Sequence, residues 1–445
     1  MKTKEPIRKI VKIHNKYYDI THFNHPGGPV AIMAANRRDA TALFESHHPF
    51  SDRVTMDNIL KKYEIHEERE KCENYLLPGE KENGDKNIFD WEETLQNDFT
   101  IELRHKVKKH FQQKAEIQGI SLSQATKATT ERWWEWGFLT STTIWSFYTM
   151  LWSQSIFWSW LNVFLFPALY WMSGAMFHDG SHFAVSNNWK INLGIQCMYR
   201  VIASPYEWLH EHIIGHHPYT NIYKKDPDLH NSGKDIRLTE NEIWNKNHEG
   251  QENKFMIFSN LLLIGLNIKN SLLLIFTKKY NGCVDKIPIE LKYYILHFLD
   301  IFLYIYMFFI LPFKIWTPFY AIKHVIIPYL ILSSIFSINA ALNHFQKESI
   351  KCKNKNWYIH QVITANNFGS HFPHYYLSIG LNYQIEHHLF PNINHCHLRD
   401  IHPIVKRLCE KYSIPYNHSG GYIDGIKGVY EHIRQMGKKP TEIKN

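Results

Sequence analysis

This 445-residue chain is predicted to be a small α+β module followed by an all-α membrane domain, with four spanning helices and a soluble cap on one membrane face. Three observations predict it. A strand-rich stretch near the N-terminus, RKIVKIHNKYYDITHF (8–23), runs into a glycine turn. From Trp136 to Phe177 there are 42 consecutive residues without Asp, Glu, Lys or Arg. Histidine clusters lie where the apolar segments end. Hydrophobic residues make up 44% and charged residues 21%, which argues against intrinsic disorder. The mean hydropathy is slightly negative, so any membrane segments are local.

Charge and cysteines exclude several classes. The net charge of +8 is too small and too dispersed to imply a nucleic-acid partner. Residues 399–445 carry nine Lys/Arg against five Asp/Glu and read as a solvated tail, with contact to anionic headgroups as the alternative. Cys72, Cys197, Cys283, Cys352, Cys396 and Cys409 are scattered and form no CxxC pair. That excludes a disulfide scaffold and a cysteine-based zinc module and fits a reducing compartment. The opening MKTKEPIRKIVKI has no apolar core, so no cleavable secretory signal is expected. By composition the chain divides into a small unit at 5–70, a linker with an amphipathic helix at 71–131, the membrane domain at 132–410 and a basic tail at 411–445.

In the first unit, His25-Pro26-Gly27-Gly28 places a histidine on a tight turn, and the glycine pair permits the positive φ such a turn needs. Asp39-Ala40-Thr41 follows 14 residues after His25, and His48 follows 23 after it, beside His47. This pattern resembles cytochrome b5 domains, in which two histidines bind haem b from opposite faces. The resemblance makes His25 one axial ligand. The other is His48 or His47, and the spacing and the following Pro49-Phe50 favour His48. Two imidazoles fill the iron's coordination sphere, so such a haem transfers electrons and leaves no site for substrate.

The 42-residue run is long enough for two crossings of roughly 20 residues each, broken at Ser153-Gln154-Ser155. Trp133, Trp134, Trp152, Trp158, Trp160 and Trp171 supply interface-type anchors. A second pair reads as Leu291–Phe313 and Pro318–Leu342, with Lys314-Ile315-Trp316-Thr317 between them. The intervening LLLIGLNIKNSLLLIF (261–276) is short, carries Lys269, and reads as an interfacial or re-entrant helix.

His178-Asp179-Gly180-Ser181-His182 begins where the first hairpin ends, and His210-Glu211-His212-Ile213-Ile214-Gly215-His216-His217 follows it. Asn343-His344 ends the last span, and Gln384-Ile385-Glu386-His387-His388 lies beyond it. With 29 histidines, chance alone gives roughly two HxxxH pairs, so spacing proves little. Placement is stronger, because an even number of spans puts every cluster on one membrane face. His178 with His182, and His212 with His216, are i,i+4 pairs expected to share one metal each. Imidazole suits iron and zinc alike. Eight histidines plus Gln384 exceed the needs of one ion, so two ions are expected.

The boxes HDGSH, HIIGHHPYTN and QIEHHLFP resemble those of the membrane fatty-acid desaturases. The second has HxxxHH where many members have HxxHH. Gln384 in the third, with an N-terminal cytochrome b5 domain, resembles the front-end group. The resemblance implies two non-haem iron ions held by His178, His182, His212, His216, His217, His344, His387 and His388, with Gln384 beside them. It implies O2 as co-substrate, a lipid acyl substrate, and electrons from NADH through a cytochrome b5 reductase-type donor. The expected product is a cis double bond between an existing one and the carboxyl end. It further implies an integral membrane protein of the endoplasmic reticulum, with haem unit and boxes cytosolic. His210 and His230 match no ligand position. A sphingoid-base desaturase, a lipid hydroxylase and a membrane-anchored haem electron carrier remain alternatives; a metal transporter would want more polar residues in its spans.

Overall fold

The structure is a computed structural model that describes residues 8–82, 88–231, 234–351 and 353–440. Cys352 lies outside them, and the other five cysteines are free thiols. Strands Ile10–Ile13 and Lys16–Asp19 pair antiparallel about a two-residue turn at His14 and Asn15, both at positive φ. Three short helices follow, Gly28–Ala35, Thr41–His47 and Arg53–Lys61, around a small core that includes Val11, Ile13, Tyr18, Ile20, Ile32 and Ala40. Of the glycine pair only Gly28 uses positive φ, at 76°. A side chain there would also strike the ring of Trp189, which lies over it.

The rest is helical, apart from two further two-stranded ribbons. The expected amphipathic helix is Asp98–Gln118, with Asn97 capping its start and Gly119 at positive φ ending it. It buries Phe99, Leu103, Val107, Phe111 and Ala115 at four-residue spacing, and it packs on the helix Leu398–Lys411. The end of the chain is not a free tail: the helix Tyr422–Gly437 buries Val429, Ile433 and Met436 against the helices Gln251–Ser259 and Ile327–His344. Apolar residues at every third or fourth position, interleaved with the basic ones, are what seat it.

Among the described residues, three helices are long and apolar enough to cross a membrane: Ile156–Ser181, Leu291–Ile315 and Pro318–His344. Gln251–Ser259 and Leu262–Phe276, bent by 62° at their junction, make a fourth if the pair is a single span. The expected first span is the 23-residue helix Thr130–Trp152, which breaks at Ser153–Ser155 as the sequence indicates. It is long enough to cross, but its Thr140-Ser141-Thr142-Thr143 run dilutes its apolar character, and it is not among the three.

The N-terminal unit is docked on the helical domain. Buried Arg38 donates to Glu80 at 2.9 Å and to the carbonyl of Asp285, whose side chain accepts from the Gly79 backbone at 2.7 Å. Arg104 donates to the Pro49 carbonyl, Asn392 donates to the His47 carbonyl at 2.9 Å, and Phe50 stacks on Phe390.

Candidate metal centre

The helix Ile156–Ser181 carries His178 to its last turn, and the chain leaves it at His182. Pro318–His344 ends in His344, and the short helix Gln384–Leu389 carries Gln384, His387 and His388. The second box lies on the π-helix Leu209–His216, in which the His217 amide donates to the His212 carbonyl five residues back. This wider turn absorbs the extra residue of HxxxHH, because i→i+5 bonding carries His217 round to the face of His212.

All eight histidines are buried and converge. Ligand atoms of His178, His182, His212, His217 and His387 lie within 4.8 Å of one another, and those of His216, His344 and His388 form a second group. The groups touch: the rings of His217 and His388 stack with centroids 4.2 Å apart. His178 and His182 fall in the same group. His212 and His216 do not share a site; the π-turn sends His212 to the five-histidine group and His216 to the three-histidine group. Gln384 sits at the second group, its amide nitrogen 2.9 Å from His344 Nε2 and its oxygen accepting from Asn343 at 3.2 Å.

Hydrogen bonding cannot satisfy this arrangement. Nε2 of His212 lies 2.9 Å from that of His178 and 3.0 Å from that of His217, which is 3.1 Å from that of His387. Both nitrogens of His182 and Nε2 of His388 have no partner. Metal ions with bonds of about 2.1 Å would take one nitrogen of each ring in place of these contacts. Burial first, and neighbouring imidazoles second, hold His182, His212, His217, His387 and His388 well below the usual histidine range. They are neutral, as metal ligands must be.

Several partners were not legible as site residues. Burial opposes charge on His216, but Asp226 and Asp228 outweigh it and raise the group to about 9. Nδ1 of His216 meets Asp226 at 3.1 Å and Asp228 at 3.4 Å. His388 Nδ1 is held by Gln361 at 3.0 Å and Thr220 at 3.1 Å. His395 forms a further buried pair with Asp179 at 3.4 Å beside His178. Asp226-Pro227-Asp228 reads as turn chemistry and Gln361 as an ordinary helical residue, so only their contacts reveal them. His210 is saturated by the Tyr206 carbonyl and the Ile287 amide, consistent with leaving it unassigned.

In the N-terminal unit, the rings of His25 and His48 face each other across 5.8 Å within an apolar cavity of about 420 Å³. His25 Nδ1 accepts from the Gly27 amide, and His48 Nδ1 bonds the Phe44 carbonyl. Burial, then His48, lowers His25 to about 4. His47 also lines the cavity, and its ring lies toward His182.

Residues 2–67 match the model of the cytochrome b5-like haem/steroid binding domain, and residues 157–420 match that of the fatty acid desaturases. An acyl-lipid (8-3)-desaturase B from Dictyostelium discoideum is 29% identical, covering 97% of this chain and 92% of its own. An acyl-lipid (8-3)-desaturase from Mortierella alpina is 28% identical, over 97% and 94%. A Delta(5) fatty acid desaturase A from Dictyostelium discoideum is 28% identical, over 98% and 92%. No solved structure matches the chain. The histidine groups, the facing imidazoles of the N-terminal unit and these matches agree: with a cytochrome b5-like domain at its N-terminus, the chain belongs to the fatty acid desaturase family.

Proposed function

We propose that this protein is a front-end acyl-lipid desaturase that places a cis double bond on the carboxyl side of an existing one. The observation that carries the chemistry is the 5 + 3 grouping of buried histidines beside a docked haem-type unit. The names of the relatives favour position 5 of an acyl chain already unsaturated at position 8. The overall change removes two hydrogens from a CH2–CH2 unit, while O2 takes these, two electrons and two protons and leaves as two waters.

His178, His182, His212, His217 and His387 hold one iron ion, and His216, His344 and His388, with Gln384, hold the other. Bound there, the iron pair supplies O2 activation strong enough for an unactivated C–H bond. Asp226 and Asp228 fix the ring of His216, and Gln361 and Thr220 fix that of His388. His25 and His48 would hold haem b, whose chemistry is single-electron transfer, with an NADH-dependent, cytochrome b5 reductase-type protein as the donor. Units at 5–70, 71–131, 132–410 and 411–445 remain our division of the chain.

The fold is read as four spans in two hairpins, with Thr130–Trp152 completing the first. Its exposed Trp134, Phe138, Ile144, Trp145 and Tyr148 support contact with lipid, as do Ile295, Leu296, Phe298 and Phe302 on Leu291–Ile315. Both termini and the metal groups then face the cytosol, in the endoplasmic reticulum. Expression in a yeast that makes no polyunsaturated lipid, fed acids unsaturated from position 8 or fully saturated, tests the reading. A new bond at position 5 in the first feed only is expected; a hydroxylated product, or a bond toward the methyl end, rejects it.

A further inference from the structure

The haem cavity is built by two parts of the chain that differ in character. Apart from His25, His47, His48 and Tyr63, the N-terminal unit lines it with apolar groups such as Val11, Ile20, Phe23, Ile32 and Phe44. The helical domain contributes its polar groups, Ser123, Lys127, Ser186, Asn187, Asn192 and Asn392, together with Phe183, Trp189 and Ile213. Haem b has the same polarity, an apolar tetrapyrrole with two propionate carboxylates on one edge. Lys127 is the sole Lys or Arg in this lining. Its ammonium donates to the carbonyls of Phe183 at 2.9 Å and Asn392 at 3.1 Å, and among the described residues it has no carboxylate partner. An ammonium has three donors, so one is left. Burial lowers this amine to about 8, a penalty that an acid partner would offset.

We infer that Lys127 of the helical domain binds a haem propionate, so that the haem site is completed by the domain it serves rather than by the N-terminal unit alone. The inference rests on the haem reading given above. The carboxylate edge of the porphyrin then faces the segment 182–189, which begins with His182 of the metal group and ends with Trp189 over Gly28. Orientation and docking are thereby coupled, because the N-terminal unit lines the cavity largely with apolar groups that would leave a carboxylate unpaired.

The test uses the full-length protein in detergent, stripped of haem and titrated with protohaem IX or its dimethyl ester, which lacks the carboxylate charges. Wild type is expected to prefer the free acid. Lys127→Met should weaken protohaem binding roughly tenfold, as expected for a lost charge-assisted hydrogen bond, and leave binding of the ester unchanged. Lys127→Arg should keep the preference. Equal weakening toward both porphyrins in Lys127→Met overturns the assignment. If that variant takes up neither, Lys127→Arg decides: a retained preference supports the pairing, and equal affinity for acid and ester overturns it. Wild type binding both porphyrins equally rejects Lys127 alone, whereas wild type binding neither rejects the haem reading and this assignment with it.

Discussion

His47 and His182 lie against each other, ring centroids 6.4 Å apart and planes 21° from parallel. One neighbours His48 in the chain and the other belongs to the five-histidine group. The ring of His47 is fixed by the Leu43 carbonyl and the Ser46 hydroxyl, and Nε2 is buried without a partner. It therefore stands between the two proposed redox sites, lining the haem cavity and lying against His182.

The two adjacent histidines should separate cleanly. His48→Ala is expected to abolish the six-coordinate, low-spin haem spectrum of the full-length protein. His47→Ala should retain that spectrum and slow the O2-dependent reoxidation of reduced haem in the presence of acyl substrate. The expected slowing is about tenfold, equivalent to roughly 1.4 kcal/mol on the barrier. Loss of the spectrum in His47→Ala with its survival in His48→Ala would reverse the ligand assignment.

The π-turn makes a second prediction. His212 and His217 share a group while His216 belongs to the other, so His212→Ala and His217→Ala should deplete the same iron ion and leave the same one behind. His216→Ala should leave the complementary ion. Iron content with Mössbauer spectra of each variant reads this directly; identical residual spectra for His212→Ala and His216→Ala would contradict the grouping.

A third concerns Asp226, which holds Nδ1 of His216 and also accepts from the Asn221 amide at 2.7 Å. Asp226→Asn keeps the shape but loses the charge that fixes and polarises the imidazole. A fall in iron affinity or activity of about 10–100-fold is expected, the usual effect of losing a partner of a metal ligand. An unchanged iron content and turnover would show that Asp228 suffices alone.

What the sequence reveals, and what it hides, follows from the range of the interactions. HPGG, the three boxes and the neutral run are local patterns, and they locate the haem-type unit, the histidines and the apolar helices. The division of His212 from His216 was hidden because reading by i,i+4 assumes a regular α-helix, and the π-turn breaks that period. The docking of the N-terminal unit was hidden because Arg38 and Asp285 are far apart in the chain. The run from Trp136 reads as a first span from its lack of charge, whereas hydroxyl groups weaken the apolar character of the helix Thr130–Trp152 that contains it.

Gln384 is the most discriminating position. Its amide lies between His344 at 2.9 Å and Asn343 at 3.2 Å, fully enclosed. The amide oxygen satisfies the Asn343 amide while the nitrogen lies against His344 Nε2, the atom that would bind iron, so one side chain fits both neighbours. Imidazole in Gln384→His cannot reproduce both bonds, and it offers a strong nitrogen ligand close to the three-histidine group. It is expected to bind the second ion too tightly and to pull His344 out of line, so iron should be retained while product falls by more than about tenfold, a barrier increase of roughly 1.4 kcal/mol. Gln384→Asn, one methylene shorter, should also lose activity but without added ligation. Feeding acids with and without a double bond at position 8, then locating the new bond by mass spectrometry, reads both variants. Full activity in Gln384→His would show that the site accepts an ordinary third-box histidine, and the glutamine could no longer be tied to insertion on the carboxyl side.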